Sequence, residues 1–315
     1  RDTVFDMPTA DSGQLFPGKK FISTVLEALE TKTAMLSGEM RRRYLQRAAM
    51  AGIIIGVFYV INYTVIAAFV DVAPTLRGVG KLVGALVFGW ALVFIYYSKS
   101  ELLTSNMMIV TIGAYHHRTG WWRAFRILSM CLVGNFLGGL TIALILRAST
   151  LTSGPTLVEL QTAVSHKLAF ITSGPGGWVD LLMRALLCNF MINMAMLLVY
   201  NGLIKEDVTK CLVMVMAVFV FAFGGLEHSV ANTVLFTVMG LRNGIDIGLA
   251  LGNQPGFPFE VAPCCIQIAV VTVVHEEQVV NRRRVIRTVG RGLHGKTCSK
   301  PIAASAQYAV PALSS

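Results

Sequence analysis

Uncharged apolar stretches dominate the middle of the chain. Residues 48–70, 127–146 and 185–204 contain no charged side chain. Because an α-helix rises 1.5 Å per residue, about 20 residues cross a hydrocarbon core of roughly 30 Å. The three stretches therefore predict three uninterrupted membrane-spanning helices.

Two further apolar regions are each divided by a polar step. Each consists of two runs too short to cross a membrane alone: residues 82–97 and 102–115 around Glu101, and residues 211–226 and 229–241 around Glu227 and His228. Charge at membrane depth is tolerated only where it is buried in protein or lines a wet cavity. The pattern predicts two broken helices, the second and the fifth of a bundle.

The two polar steps share a spacing. Glu101 precedes Asn106 by the same number of residues that separates Glu227 from Asn232. Each step also falls on the second span of its half of the chain. This is typical of an inverted repeat, in which the binding site forms near the membrane midplane, where the two breaks meet.

The two ends of the chain differ from the middle. A sixth span is weakly marked, because its two apolar runs, residues 247–259 and 262–274, are short and the first contains prolines. We predict an N-terminal region (residues 1–44) with an amphipathic helix over residues 21–36, a channel domain (residues 45–275) and a basic tail (residues 276–315). The amphipathic helix fits either an interfacial anchor or a gating or subunit contact.

Composition supports a membrane protein and argues against several other classes. The chain is 54% hydrophobic and only 14% charged, with a mean hydropathy of +0.63. Its net charge of +10 comes from short basic clusters beside apolar segments, which fits membrane topology better than a nucleic-acid groove. The placement of Lys and Arg favours six crossings with both termini in the cytoplasm. No motif predicts a metal site, a cofactor or an enzyme.

Four short motifs follow one another on the predicted spans. They are residues 100–106 (SELLTSN), 134–139 (GNFLGG), 187–189 (LCN) and 225–232 (GLEHSVAN). In this order they resemble the successive signatures of the formate/nitrite transporter family. The resemblance implies an all-α, aquaporin-like six-helix bundle that assembles as a homopentamer in the plasma (inner) membrane, with one pore per protomer. It also implies transport of small monovalent anions such as formate, nitrite or hydrosulfide, often together with a proton.

The resemblance assigns roles to individual residues. His228 corresponds to the central pore histidine, Thr104 to the threonine of the first break, and Lys167 to a lysine in the outer vestibule. Two apolar constrictions flank the histidine, formed by Phe88, Leu92, Leu102, Leu103, Ile192 and Phe221. The chain departs from the family pattern at Leu103, where a phenylalanine is usual. It departs again at the glycine motif of residues 252–256, which comes early and is followed by prolines.

The chemistry of these residue types gives a mechanism. Burial in an apolar segment disfavours a charged imidazole, and neutral His228 can still donate one hydrogen bond and exchange a proton. An anion that meets His228 and Thr104 would then cross as the neutral acid, which avoids carrying a bare charge past apolar rings. We expect Glu101, Asn106, Glu227 and Asn232 to secure the broken backbone, because an uncompensated carboxylate in the lumen would repel anions.

Several alternatives remain open at this level. His228 could simply tie two helices together, and Thr104 could hydrogen-bond to its own helix. The whole chain could be a neutral-solute channel of aquaporin type, or a non-transporting paralogue with a defective sixth helix.

Overall fold

The computed structural model describes residues 17–36, 38 and 40–243, and within them the regular secondary structure is helical, without strands. The helices are α1 (Pro17–Ala34), α2 (Met40–Val72), a 3₁₀ turn (Pro74–Leu76), α3 (Arg77–Tyr97), α4 (Leu103–Tyr115), α5 (Trp121–Arg147), α6 (Pro155–Thr172), α7 (Pro175–Tyr200), α8 (Asp207–Phe223) and α9 (Ser229–Asn243). The predicted sixth span and the basic tail lie outside the described residues.

Four helical segments are long and apolar enough to cross a membrane: Met40–Val72, Pro74–Tyr97, Trp121–Arg147 and Pro175–Tyr200. Large apolar side chains on their outer faces are about half exposed, among them Trp90, Phe94, Leu144 and Ile145. Such a surface is unfavourable in water and suits the hydrocarbon of a bilayer. The chain is therefore an integral membrane protein.

Two of the three uninterrupted spans, residues 48–70 and 127–146, fall within α2 and α5. The third differs at both ends, because α7 begins ahead of residue 185 at Pro175 and ends at Tyr200, before the predicted end at residue 204. Gly174 precedes α7 with a φ of +75°, and a proline at the first helical position has no N–H that needs a partner. The sequence did not predict α6, which fills part of the link before α7.

The chain leaves helical conformation at both polar steps. Helix α3 ends at Tyr97 and α4 begins at Leu103, while α8 ends at Phe223 and α9 begins at Ser229. Lys99 lies in the first interval with a φ of +56°, and Gly225 lies in the second with a φ of +68°. The backbone groups released in these intervals need partners from elsewhere in the protein.

Small residues bring α2 and α5 into direct backbone contact. A Cβ atom at Gly52 would lie 2.1 Å from the carbonyl oxygen of Asn135, and one at Gly138 would lie 1.9 Å from the carbonyl oxygen of Ala49. Glycines spaced four apart, such as Gly134 and Gly138, commonly allow this approach between membrane helices. The two helices run in the same direction, since Ala48 meets Gly134 and Gly56 meets Ile142.

The amphipathic helix α1 packs on the protein. Its apolar side chains Phe21, Val25 and Leu29 are buried, and Leu29 lies against Gly113 of α4. Helix α6 also packs inward, where Leu160 and Val164 meet Leu235 and Met239 of α9. These apolar side chains of α1 and α6 are therefore buried by protein and not by lipid.

We predict that Gly138→Ala destabilises the protein by about 1–3 kcal/mol, because the added methyl group collides with the backbone of α2. The measurement is the melting temperature of the detergent-purified protein. Gly78→Ala is the matched control, since Gly78 is exposed in α3 and its Cβ would meet nothing within 4 Å. Equal melting temperatures for the two variants would contradict the close contact.

Candidate functional site

Glu101 anchors the first interval between helices. Its buried carboxylate forms an ion pair with Lys32 of α1 and lies 3.3 Å from an Arg47 guanidinium nitrogen. Its backbone N–H donates to the carbonyl of Arg47 at 3.1 Å. The Nε of Arg47 in turn donates to the carbonyl of Lys99 at 2.6 Å. The non-helical segment is thus fastened to both α1 and α2.

Asn135 of α5 satisfies the backbone at the same interval. Its Oδ1 accepts the N–H of Leu103 at 3.0 Å, which is one of the donors left free at the start of α4. Its Nδ2 donates to the carbonyls of Glu101 and Ala48, both at 2.8 Å. One side chain therefore joins α5, the start of α4 and α2.

Two polar residues in α4 have different surroundings. The Nδ2 of Asn106 donates to the hydroxyl of Tyr44 and contacts the Sγ of Cys131, each at 3.1 Å. Thr104 is almost fully buried, yet its hydroxyl has no hydrogen-bonding partner in the described part of the chain. Asn106 is therefore a structural tie, whereas Thr104 keeps a free polar group.

The second interval is fastened from α6, α7 and α9. The carboxylate of Glu227 pairs with Lys167 of α6, and its Oε2 accepts the Nδ2 of Asn232 at 2.8 Å. A guanidinium nitrogen of Arg184 donates to the carbonyl of Gly225 at 2.9 Å. Lysines of α1 and α6 thus neutralise the two glutamates that interrupt the apolar runs.

His228 directly precedes α9 and caps its first turn. Its Nδ1 accepts the backbone N–H of Ala231 at 3.2 Å. In a neutral imidazole this bond leaves the proton on Nε2. No described residue accepts from Nε2, so the ring keeps one free donor.

Aromatic rings stand next to this histidine. The Phe221 ring stacks on His228 with centroids 5.7 Å apart, and Phe88 meets Phe221 edge-on at 6.2 Å. The other residues of the predicted constrictions are buried in the same apolar core as these rings: Leu92, Leu102, Leu103 and Ile192. The structure therefore places three residues of the predicted pore next to one another: Phe88 packs against Phe221, and Phe221 stacks on His228.

A cavity of about 260 Å³ opens at this aromatic pair. Four cationic side chains and two carboxylates contribute to its wall: Arg77, Lys81, Lys167, Arg184, Glu159 and Glu227. Both carboxylates are engaged in ion pairs, Glu159 with Arg77 at 2.5 Å and Glu227 with Lys167. Lys81 has no ion pair among the described residues, so the wall carries net positive charge. We call this cavity the vestibule.

The sequence profile of the formate/nitrite transporter family matches residues 19–269. The chain belongs to this family. The nitrite transporter NirC of Salmonella typhimurium is 27% identical over 66% of this chain and 72% of its own length. The formate channel FocA of Haemophilus influenzae is 30% identical over 49% of this chain and 52% of its own length.

Solved structures share the fold of this family member. One described as an FNT family ion channel has a TM-score of 0.67 at 22% identity and covers 83% of this chain and 99% of its own. Another, a pentameric formate channel with formate bound, has a TM-score of 0.61 at 19% identity and covers 78% and 99%. Family members are channels and transporters, which does not favour an enzyme, a neutral-solute channel or a silent paralogue.

Sequence reasoning missed several residues of this region. The sequence did not single out Arg184, although it lines the vestibule and donates a hydrogen bond to the carbonyl of Gly225. Asn193, one position after Ile192, is buried with neither side-chain atom hydrogen-bonded to any described residue. An asparagine inside an uncharged span was the available signal, because an amide in hydrocarbon needs a partner or a wet cavity.

We predict that Asn135→Leu lowers the free energy of unfolding by about 3 kcal/mol, because three hydrogen bonds of roughly 1 kcal/mol each are lost. Thermal unfolding in detergent measures the change. Thr141→Val on the same helix is the control, since its exposed hydroxyl bonds only to Leu137 of its own helix. A loss of unfolding free energy no larger than that of the control would contradict the proposed role of the Asn135 hydrogen bonds.

We predict strong coupling between Lys167 and Glu227. Lys167→Met leaves a buried carboxylate unpaired and destabilises the protein by about 3–5 kcal/mol, whereas Lys167→Met/Glu227→Gln recovers a large part of the loss. A double-mutant cycle on unfolding measures the coupling. The same cycle on the exposed pair Asp207 and Lys210 should show none, and additive effects at Lys167 and Glu227 would contradict the pairing.

Proposed function

We propose that the protein conducts small monovalent anions such as formate or nitrite, and that each anion crosses together with a proton. One observation carries the proposal: the positively charged vestibule ends at two phenylalanines beside a histidine whose Nε2 donor is free. The names of the relatives, a nitrite transporter and a formate channel, support this class of substrate.

The proposed architecture is an aquaporin-like bundle of six crossings. In it, α3 with α4 and α8 with α9 form the broken second and fifth crossings. The helix ends at both polar steps support this arrangement. So does the repetition of a lysine and glutamate pair at each interval, one from each half of the chain.

We further propose a homopentamer with one pore in each protomer. The support is the likeness in fold to a pentameric formate channel and the large apolar surface on the outer faces of the helices. We place the protein in the plasma membrane on the strength of the family resemblance, and both termini in the cytoplasm on the distribution of Lys and Arg.

The vestibule concentrates anions and excludes cations. Its excess of cationic side chains raises the local anion concentration, and its two carboxylates are compensated by Arg77 and Lys167. Glu227 can therefore stand next to the pathway without repelling an anion. This agrees with a structural role for the glutamate and an attracting role for the whole basic wall.

To pass beyond Phe88 and Phe221, the permeating anion must lose its charge. Carrying a bare anion through an apolar constriction is costly, and protonation to the neutral acid removes most of that cost. The Nε2–H of neutral His228 is a hydrogen-bond donor for the anion at this point. The proton that forms the neutral acid comes from the outer solution, and His228 can pass a proton on only after it has taken one up, since loss of its one N–H proton would leave an imidazolate. The buried, unpartnered hydroxyl of Thr104 is a candidate second contact.

We predict that His228→Phe lowers formate or nitrite uptake into proteoliposomes by about tenfold to a hundredfold, because a donor to an anion contributes about 1.5–3 kcal/mol. His228→Asn keeps an amide donor but cannot exchange a proton near neutral pH. It should retain part of the uptake and lose the acceleration that an acidic outer solution gives the unchanged protein.

The matched control is His166→Asn, because His166 also lines the vestibule but is exposed at its rim. Its uptake and pH dependence should equal those of the unchanged protein. Stopped-flow uptake of formate, nitrite and lactate at two pH values provides both readouts. An unchanged pH dependence in both His228 variants would refute the proton role.

A further inference from the structure

A second basic cavity lies at the other end of α2 from the vestibule. It has a volume of about 580 Å³. Its wall is formed by the loop between α4 and α5 and by the start of α5, and it includes Arg118, Arg123 and Arg126. The Tyr44 hydroxyl, near the start of α2, lies 3.5 Å from the Ile127 carbonyl of α5, so this cavity belongs to the end where both helices begin. We call it the arginine pocket.

The arginine pocket has an excess of positive charge that no described carboxylate compensates. Within the described part of the chain no carboxylate lines it, and none of its three arginines makes an ion pair there. Helix α5 also begins here, at Trp121, without a side-chain cap, so its first backbone N–H groups and the positive end of its dipole face outward. These features together favour a bound anion.

A buried hydroxyl independently indicates a ligand. Thr119 lines the arginine pocket and is only 7% exposed, and its Oγ1 has no hydrogen-bonding partner among the described residues. A buried polar atom without a partner is unfavourable unless a ligand or water completes it. An oxygen-rich anion in the pocket would accept a hydrogen bond from this hydroxyl.

Aromatic side chains locate the arginine pocket at the membrane surface. Trp121, Trp122 and Phe125 lie in the first two turns of α5 and are 63%, 74% and 50% exposed. Tryptophan is enriched where membrane helices meet the lipid headgroups. Because α5 is long enough to cross the bilayer, its first turn lies at headgroup depth.

We propose that the arginine pocket binds the phosphate group of an anionic phospholipid. Arg118, Arg123 and Arg126 supply guanidinium groups, which match phosphate oxygens in pairs, and Thr119 adds a hydroxyl donor. The exposed tryptophans contact the upper part of the acyl chains. A zwitterionic lipid binds less well, since the positive wall repels its ammonium group.

The test compares lipids on the purified full-length protein by native mass spectrometry. Phosphatidylglycerol should bind at least tenfold more tightly than phosphatidylcholine. Arg123→Gln/Arg126→Gln should lower the phosphatidylglycerol affinity about tenfold and nearly abolish the preference. The milder Thr119→Val should weaken binding about threefold while the fold is preserved.

Arg42→Gln/Arg43→Gln is the matched control, because it removes two exposed arginines at the same end of α2 but outside the pocket. Its affinity should stay within twofold of the unchanged protein. An equal loss of phosphatidylglycerol affinity in this variant would show that general surface charge explains the effect, and would overturn the proposal. Equal binding of phosphatidylglycerol and phosphatidylcholine to the unchanged protein would also overturn it.

A measurement on the unchanged protein does not depend on any variant. Phosphatidylglycerol with a photoreactive headgroup should label the peptide that contains residues 117–126, and labelling elsewhere would refute the site. Inorganic phosphate or glycerol phosphate that displaces the lipid at equal concentration would identify a soluble anion as the ligand instead. Cross-links from this peptide to a second copy of the chain would assign the pocket to an interface between copies.

Discussion

The backbone of a membrane protein must find all its hydrogen-bonding partners within the protein, because hydrocarbon offers none. At each interval between short helices this chain leaves helical conformation and releases N–H and carbonyl groups. Asn135 and Arg47 serve the first interval, and Arg184 serves the second. Wherever the chain departs from a helix to form a polar site, side chains from other helices must support the departure.

Close packing of α2 on α5 makes this support possible. Gly52 and Gly138 allow the two backbones to touch, which brings Asn135 within hydrogen-bonding distance of both Ala48 and Glu101. A bulkier residue at either glycine would separate the helices and stretch these bonds. The packing of small residues and the satisfaction of polar groups are therefore one constraint, and the geometry around the first interval depends on it.

Much of the fold could be predicted from the sequence, since helix length and apolar content are local properties. The uninterrupted spans, the polar steps at Glu101 and Glu227, and the membrane class follow from runs of charge-free residues. Helix α6 could not be predicted this way, because its Leu160 and Val164 are buried by helices that are distant along the chain, α9 and α2. Helix α1 was predicted from its amphipathic pattern, but its packing partner, α4, could not be, because that contact is distant along the chain.

The site shows the same division. The sequence shows that Glu101 and Asn106 have the same spacing as Glu227 and Asn232, and that His228 lies in an apolar segment. Their hydrogen-bonding partners depend on how the helices pack: Asn232 donates to Glu227, whereas Asn106 donates to Tyr44 and contacts Cys131. This is because the partner of a buried side chain is supplied by the helix that packs against it. Equal spacing along the chain does not determine which helix that is.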